Sequence, residues 1–251
     1  AMFGMAVALA IGIGIQNVPE GAAVALPMLQ EGMSAPKAFA LGALSGLAEP
    51  VFGILVVLFA AVMGLVIALG AMTRFRPLRY LTRSIIWVVR GTPLMLQLSA
   101  IYFGPGLLGY NLWGTGRQGR WIAVITAFIL NYACYFAEIY RGGLESIPKG
   151  QYEAGQVLGM TRPQIFFRVV LKQVIQRILP PMGNEVITLV KDTSLARVVA
   201  VYELIWAGEA FIKSNGLIWP LFFTGLYYLA FSGILTVLLN TLERRMDYFR
   251  C

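Results

Sequence analysis

The chain has 251 residues, of which 58% are hydrophobic and only 13% are charged, and it carries a formal net charge of +8. A soluble domain has about a quarter charged residues, so this composition excludes a soluble globular protein and indicates an integral membrane protein. The apolar runs are long and lack the period-two alternation of membrane β-strands, which predicts an all-α chain.

The positive charges are spread over the loops between the apolar runs. This distribution is typical of basic cytoplasmic loops in a multi-pass membrane protein, and it argues against nucleic-acid binding. The sequence holds no histidine, which excludes histidine-based catalysis and the commonest zinc ligand. The two cysteines, Cys134 and Cys251, form no metal motif.

The first predicted span covers residues 2–29, and the second apolar run covers residues 38–70. Polar side chains interrupt both, and polar groups within a membrane indicate function by default. On a helix, Gln16, Asn17 and Glu20 share one face of the first span, and Glu49 lies in the second. The run 38–70 is about 50 Å long against a hydrocarbon core of about 30 Å, so we expect it to tilt, kink near Pro50 or project into the cytoplasm.

The motifs Ile15-Gln-Asn-Val-Pro-Glu-Gly21 and Leu44-Ser-Gly-Leu-Ala-Glu-Pro50 resemble helices four and five of the ZIP divalent-metal transporters. That resemblance implies a metal site. Its ligands would be Gln16, Asn17, Glu20 and Glu49, whose oxygens suit a hard or borderline divalent cation. Only two of the eight ZIP helices are represented, and a site without histidine is poor for zinc. Packed or paired carboxylates are therefore the alternative.

Residues 78–103 form the next helical unit, after a basic cluster at residues 74–83. Its first part is mixed in polarity, and we expect it along the cytoplasmic face. The motif Arg90-Gly91-Thr92-Pro93 breaks the unit, because a residue before proline is pushed out of the helical region. The span then continues through residues 94–103. Arg90 is either a snorkelling anchor or part of a motif with a structural or a transport role.

A further span is predicted over residues 121–140, ending where Glu138 and Arg141 could pair one turn apart. The basic segment 141–177 that follows belongs on the cytoplasmic side. Helical spacing places Ala154, Val157 and Leu158 on one face of a short helix. We expect Gly159 to end this helix and Thr161 to be the N-cap of the next.

The next span is predicted to open at residues 178–183, with its prolines in the first turn. It is the most polar predicted span, and Asn184, Thr188 and Lys191 share one face by their spacing. A polar face within lipid should line a pathway, with hydrogen bonding between helices of two subunits as the alternative. The candidate pathway residues are Asn184, Glu185, Thr188, Lys191, Asp192, Thr193 and Ser194. A partly helical external hairpin at residues 201–216 and a last span at residues 217–240 complete the chain.

Four motifs occur in order: Arg90-Gly-Thr-Pro-Leu-Met-Leu-Gln97, Ala137-Glu-Ile-Tyr-Arg-Gly-Gly143, Glu153-Ala-Gly-Gln-Val-Leu-Gly159 and Gly183-Asn-Glu-Val-Ile-Thr-Leu-Val-Lys-Asp-Thr-Ser-Leu195. Over about residues 58–250 they resemble permeases of ABC importers for polar amino acids. The resemblance implies an all-α, type I (MetI-like) permease domain at 58–251 that lacks the start of its first helix. A ZIP-like helical hairpin at 1–57 would precede it, giving about six transmembrane helices.

The same resemblance implies a coupling loop that lies against a separate ATP-binding subunit. Its residues would be Glu153, Ala154, Gly155, Gly159 and Arg162; the family often has a second alanine where Gly155 stands. The further partners implied are a second permease subunit, an extracytoplasmic substrate-binding protein, a polar amino acid and membrane lipid.

The resemblance also implies a multi-pass transport subunit of the bacterial inner membrane rather than an enzyme. The chain has no Gly-x4-Gly-Lys-Ser/Thr motif, so we expect it to bind no cofactor itself and ATP to be bound by the partner. The alternative functions are divalent-cation transport or binding through the N-terminal hairpin, and a chimera that transports nothing.

Overall fold

The computed structural model describes residues 34–114, 116–201, 209, 213 and 218–246, and every regular element in these ranges is helical. The α-helices are α1 (Ala35–Met72), α2 (Arg76–Gly91), α3 (Leu94–Leu107), α4 (Arg117–Glu145), α5 (Lys149–Val157), α6 (Arg162–Ile165), α7 (Leu171–Asp192) and α8 (Trp219–Met246). A π-helical turn, Phe166–Val170, joins α6 to α7, and a 3-10 helix, Thr193–Val199, follows α7.

Helix α1 is one uninterrupted element of 38 residues, starting after Ser34 and carrying a proline in its first turn. Proline suits this position because its missing N–H is not needed there. At 1.5 Å per residue the helix is about 57 Å long, and it is assigned as helix through Pro50. Its apolar part, Gly53–Met72, is long enough to cross a membrane.

Helix α1 packs most extensively on α4, through small residues. Ala60 and Ala68 of α1 are buried, as are Ala133 and Ala137 of α4. A Cβ added to Gly64 would lie 2.8 Å from the Phe136 Cβ and 2.9 Å from the Ala133 carbonyl oxygen. Membrane helices gain little from hydrophobic association in lipid, so close packing of small residues is what holds such a pair together.

Helices α2 and α3 meet at an angle of 108°, with Thr92 extended and Pro93 at the start of α3. The predicted break at Arg90–Pro93 is therefore confirmed. Helix α3 is the apolar member of the pair, so a membrane-spanning α3 would place α2 close to the membrane plane. Arg90 of α2 lies beside Glu138 near the end of α4, which is the end that leads to the basic segment 141–177.

The prediction that Pro180 and Pro181 lie in the first turn of a helix is wrong. The helix already runs through the π-helical turn and Leu171, so Pro180 and Pro181 lie inside α7. Proline in a helix interior removes a hydrogen bond, and it persists only where packing holds the helix on both sides. Here Val170 and Val174 are buried before the prolines, and Met182 is buried after them.

Three helical segments among the described residues are long and apolar enough to cross a membrane, and α2 with α3 would make a fourth if the bent pair is one span. The three are Gly53–Met72, Gln118–Glu145 and Thr224–Arg244. Helix α7 packs against α8, where Gly183 faces Leu239, but its polar residues keep it outside this group. The count of six spans stays a prediction.

Candidate coupling loop and translocation helix

The candidate coupling loop, α5 and α6 with the residues between them, is a helical hairpin whose turn depends on Gly159. Helix α5 is followed by Leu158 and then Gly159, which has a φ of +72°. The Gly159 N–H donates to the Gln156 carbonyl at 2.9 Å, and the Met160 N–H donates to the Gly155 carbonyl at 3.0 Å. Such a left-handed residue ends a helix by satisfying its last carbonyls, and glycine adopts it without strain. The predicted helix end at Gly159 is confirmed.

Thr161 is the N-cap of α6, as predicted. Its backbone is extended, and its N–H donates to the Gln164 side chain at 2.9 Å. Thr161 and Gln164 thus form a capping box, which satisfies backbone donors at the helix start. Pro163 lies in the first turn of α6, where it fits for the same reason as in α1.

The two arms of the hairpin touch at Gly155. This glycine is buried, and a Cβ built on it would lie 2.6 Å from Cγ1 of Ile165, which is itself buried. Alanine, which the related family often has here, would require Ile165 to move. The glycine therefore makes room for the isoleucine.

The hairpin is fixed to the base of α7 by an apolar cluster and by polar contacts. The cluster consists of Ile147, Ile165, Val170 and Val174. Gln173 of α7 donates to Gln151 of α5 at 3.1 Å, and Arg177 donates to the Ser146 carbonyl. These contacts join α5 to the base of α7.

The outer face of the hairpin exposes apolar side chains. Val157 is 88% exposed and Leu158 is 78% exposed, and Ala154 is exposed as well. Leu158 follows the last residue of α5, so the predicted shared helical face stays a prediction. Glu153 and Arg162 are exposed as well. Large apolar side chains at the tip of a basic segment outside the membrane are typical of a protein-binding surface.

Helix α7 exposes the polar face that its sequence predicts. Asn184, Thr188 and Lys191 are all exposed in the chain, and the Thr188 hydroxyl donates to the Asn184 carbonyl at 2.9 Å. The hydroxyls of Thr193 and Ser194 likewise donate to carbonyls of the preceding turn. Among the described residues, neither the Asn184 amide nor the Lys191 ammonium group on this face has a hydrogen-bond partner.

Asp192 lies on a different side of α7 and bonds to a residue that sequence reasoning missed. The Tyr132 hydroxyl of α4 donates to Asp192 Oδ2 at 2.7 Å, and Tyr132 is only 1% exposed and stacks on Phe128. Glu185, half-buried, is two turns earlier on α7. The polar pair Asn131-Tyr132 within an apolar run is the signal that could have indicated this contact.

The Arg90–Pro93 motif is held by a hydrogen-bonded pair, Gln97 and Asn131, that the sequence pattern does not reveal. Gln97 Nε2 donates to the carbonyls of Val89 at 2.7 Å and Thr92 at 3.0 Å, and so bridges the break. Gln97 Oε1 accepts from Asn131 Nδ2 of α4 at 2.9 Å, and Asn131 is 5% exposed. The bend between α2 and α3 is thereby tied to α4.

Arg90 of α2 contacts a row of paired charged side chains on α4. Arg141 binds Glu138 through two hydrogen bonds, the shorter of 2.5 Å, and Glu145 at 2.7 Å, so the predicted Glu138–Arg141 pair is confirmed. Arg90 approaches Glu138 at 3.7 Å and lies over the Tyr135 ring, 5.1 Å from its centroid. Arg90 is thus held by protein groups, which favours the structural role over a simple snorkelling anchor.

We expect Gln97→Leu to lower the stability of the purified protein by about 1–3 kcal/mol, because it leaves the buried Asn131 amide without its partner. Asn131→Leu should cost a similar amount. The double variant should lose less than the sum of the two, since the second change removes a group already unpaired. Thermal unfolding in detergent measures all three. Ser99→Ala on α3 is the control, because among the described residues its hydroxyl bonds to the Met95 carbonyl of the same helix. An additive loss of stability in the double variant would contradict the pairing of Gln97 with Asn131.

The predicted metal ligands Gln16, Asn17 and Glu20 lie outside the described residues, and Glu49 is placed only by its backbone, in α1. In the part of the chain that the structure describes, no group of three or more His, Cys, Asp or Glu side chains could hold a metal ion. The metal site stays a prediction.

Comparison with known proteins identifies the helical core. Residues 57–248 match the family model of binding-protein-dependent transport system inner membrane components. The chain is 34% identical over 198 residues to the L-cystine transport system permease protein TcyB of Bacillus subtilis, covering 78% of this chain and 82% of that protein. It is 38% identical over 194 residues to the octopine transport system permease protein OccM of Rhizobium radiobacter, covering 74% and 79%.

Solved structures agree with this match. A crystal structure of an amino acid ABC transporter with histidines superposes with a TM-score of 0.69 at 32% identity, covering 77% of this chain and 88% of that one. An inward-facing MetNI methionine ABC transporter superposes with a TM-score of 0.62 at 18% identity, covering 78% and 92%, and shows the shared fold. The relatives are permease subunits, so the predictions of a non-enzymatic transport subunit and of an inner-membrane location are confirmed. The chain belongs to the binding-protein-dependent transport system inner membrane components, the multi-pass MetI-like permease subunits of ABC importers.

Proposed function

We propose that this permease carries polar amino acids, or their opine conjugates, into the cell. The observation that supports this is the set of relatives, whose names specify cystine, octopine, arginine and glutamine transport. The exposed face of α7 agrees in chemistry, because it offers an amide, a hydroxyl and an ammonium group within reach of a zwitterion. The candidate pathway residues are those of α7 and the following turn, residues 184–194.

The hairpin of α5 and α6 is the proposed contact with a separate ATP-binding subunit, which would hold the ATP. Its exposed apolar tip, Val157 and Leu158, would enter a groove of the partner, and Glu153 and Arg162 would flank the contact. The buried Gly155–Ile165 contact and the Gln151–Gln173 bond would pass the motion on to α7.

A second permease subunit would face α7, since the polar face of that helix is uncovered in a single chain. An extracytoplasmic binding protein would deliver the substrate. Transport then follows from alternating access, in which nucleotide and substrate bind two conformations with different affinities. The proposed permease domain is residues 58–251, and its start lies within the continuous helix α1.

Uptake into proteoliposomes containing the purified complex tests the proposal. We expect ATP-dependent accumulation of a radiolabelled polar amino acid, inhibited by an excess of other polar amino acids and not by leucine or by a sugar. Accumulation of a sugar or an apolar amino acid instead would contradict the proposed substrate class.

A further inference from the structure

The stretch from α1 to α4 is basic without acidic compensation. No Asp or Glu occurs between Glu49 and Glu138, whereas this stretch carries Arg74, Arg76, Arg79, Arg83 and Arg90 in and just before α2. Among the described residues, only Arg90 of these five makes an ion pair, and its partner Glu138 is already bound by Arg141. The arginines of α2 therefore leave positive charge for a group outside the chain.

A cavity of about 580 Å³ lies between α2 and the end of α4. Three guanidinium groups line it, those of Arg83, Arg90 and Arg141, against the single lining carboxylate of Glu138. The charge there stays net positive when Glu145, which pairs with Arg141, is included. Arg83 Nε donates to the Ala71 carbonyl at 3.3 Å, and within the described residues its two terminal nitrogens make no hydrogen bond. The cavity thus suits an anion with several acceptor oxygens, such as a phosphate.

The same cavity is amphiphilic, and a membrane-spanning α3 would place it at the membrane surface. Trp87 lines it and is 78% exposed, and the neighbouring Val88 and Ile85 are also exposed. The 108° bend would then put α2 close to the membrane plane, at the end of α4 that leads to the basic segment 141–177. Basic helices with exposed aromatic and aliphatic side chains lie in this interfacial layer, where tryptophan is enriched.

We propose that the cavity between α2 and α4 binds an anionic phospholipid, with the headgroup phosphate on Arg83 and Arg90 and the acyl chains beside Trp87. Charge complementarity favours this occupant over a zwitterionic lipid, whose headgroup carries a positive charge into a site that is already positive. Gln97 and Asn131 link α2 to α4. The bound lipid would therefore stabilise the bend between α2 and α3, and with it the position of the end of α4 that leads to α5. The proposal does not rest on which solute is transported.

Quenching of Trp87 fluorescence by brominated lipids tests it directly. The full-length chain is reconstituted in phosphatidylcholine vesicles in which a minor fraction of the lipid is brominated phosphatidylglycerol or, separately, brominated phosphatidylcholine. The chain has five tryptophans, so the difference between wild type and Trp87→Phe gives the Trp87 signal. We expect brominated phosphatidylglycerol to quench Trp87 at a lower mole fraction than brominated phosphatidylcholine, with a relative binding constant of about fivefold or more, since one arginine at an anionic membrane contributes about that much.

Arg83→Gln should remove about fivefold of this preference while leaving the Arg90–Glu138 contact intact, and Arg83→Gln with Arg90→Gln should abolish it. The matched control is Arg74→Gln with Arg76→Gln, which removes two charges from the same stretch outside the cavity and should leave most of the preference. Equal quenching by the two lipids in the wild type overturns the proposal. So does an equal loss in the control pair, which would indicate diffuse surface charge. Absence of Trp87 quenching by either lipid would mean that protein, such as a second copy of the chain, covers the cavity.

Discussion

Replacing Gly159 with valine is expected to abolish substrate-stimulated ATP hydrolysis by the reconstituted importer while the subunit remains in the membrane. Gly159 has a φ of +72°, which costs an L-residue about 1–2 kcal/mol and a β-branched residue more. The hairpin would escape this strain by changing its turn, and α5 would then lose its position relative to Ile165 and Gln173. Phosphate release with and without saturating substrate and binding protein measures the effect.

Two variants separate strain from bulk in that experiment. Gly159→Asn keeps a side chain but tolerates the left-handed region, so it should retain most of the stimulation. Gly150→Val places the same valine in open space within α5, where φ is ordinary, and should have a small effect. Equal losses in Gly159→Val and Gly150→Val would show that the turn conformation is not what couples the subunits.

Replacing Gly64 with leucine should prevent assembly of the α1–α4 pair. The new Cβ would lie 2.8 Å from the Phe136 Cβ and 2.9 Å from the Ala133 carbonyl oxygen, and the latter is backbone that cannot move aside. Overpacking of a well-filled interior costs about 1–3 kcal/mol, and here the helices themselves must separate. We expect little monodisperse protein after detergent extraction, as judged by size-exclusion chromatography with a fluorescent fusion.

The control for this prediction lies one residue away. Leu65 is exposed on the outer side of α1, so Leu65→Ala should leave the yield of monodisperse protein close to that of the wild type. Gly64→Ser, with a smaller side chain, should give an intermediate yield. A Gly64→Leu protein that elutes like the wild type would mean that α1 and α4 do not approach as closely as described.

The local rules in the sequence predict the coupling hairpin well. Gly159 and Thr161 act through backbone geometry and end-capping, which depend on near neighbours in the chain, and both lie where the pattern places them. The break at Pro93 follows for the same reason. The polar face of α7 also follows, because helical spacing alone brings Asn184, Thr188 and Lys191 together.

Contacts between distant residues are what the sequence does not reveal. The Tyr132–Asp192 and Gln97–Asn131 bonds join residues 60 and 34 positions apart, and no local pattern specifies such partners. Pro180 and Pro181 resemble the first turn of a helix, so the sequence predicts too late a start for α7. Buried packing around Val174 keeps the helix continuous through both prolines. Residues 16–20, which carry most of the predicted metal ligands, lie outside the described residues, so that prediction stays as it was.

The central claim, that the α5–α6 hairpin recruits a separate ATP-binding subunit, is tested most directly by co-isolation. The tagged chain is purified from gently solubilised membranes of a cell that also makes its ATP-binding partner, in wild-type form and as Val157→Ser with Leu158→Ser, which removes the exposed apolar tip. We expect an ATP-binding subunit to elute with the wild-type chain and to be lost from the double variant, with both chains equally monodisperse. An intact wild-type chain that elutes without an ATP-binding subunit, or a double variant that retains it fully, would contradict the proposed role of the hairpin.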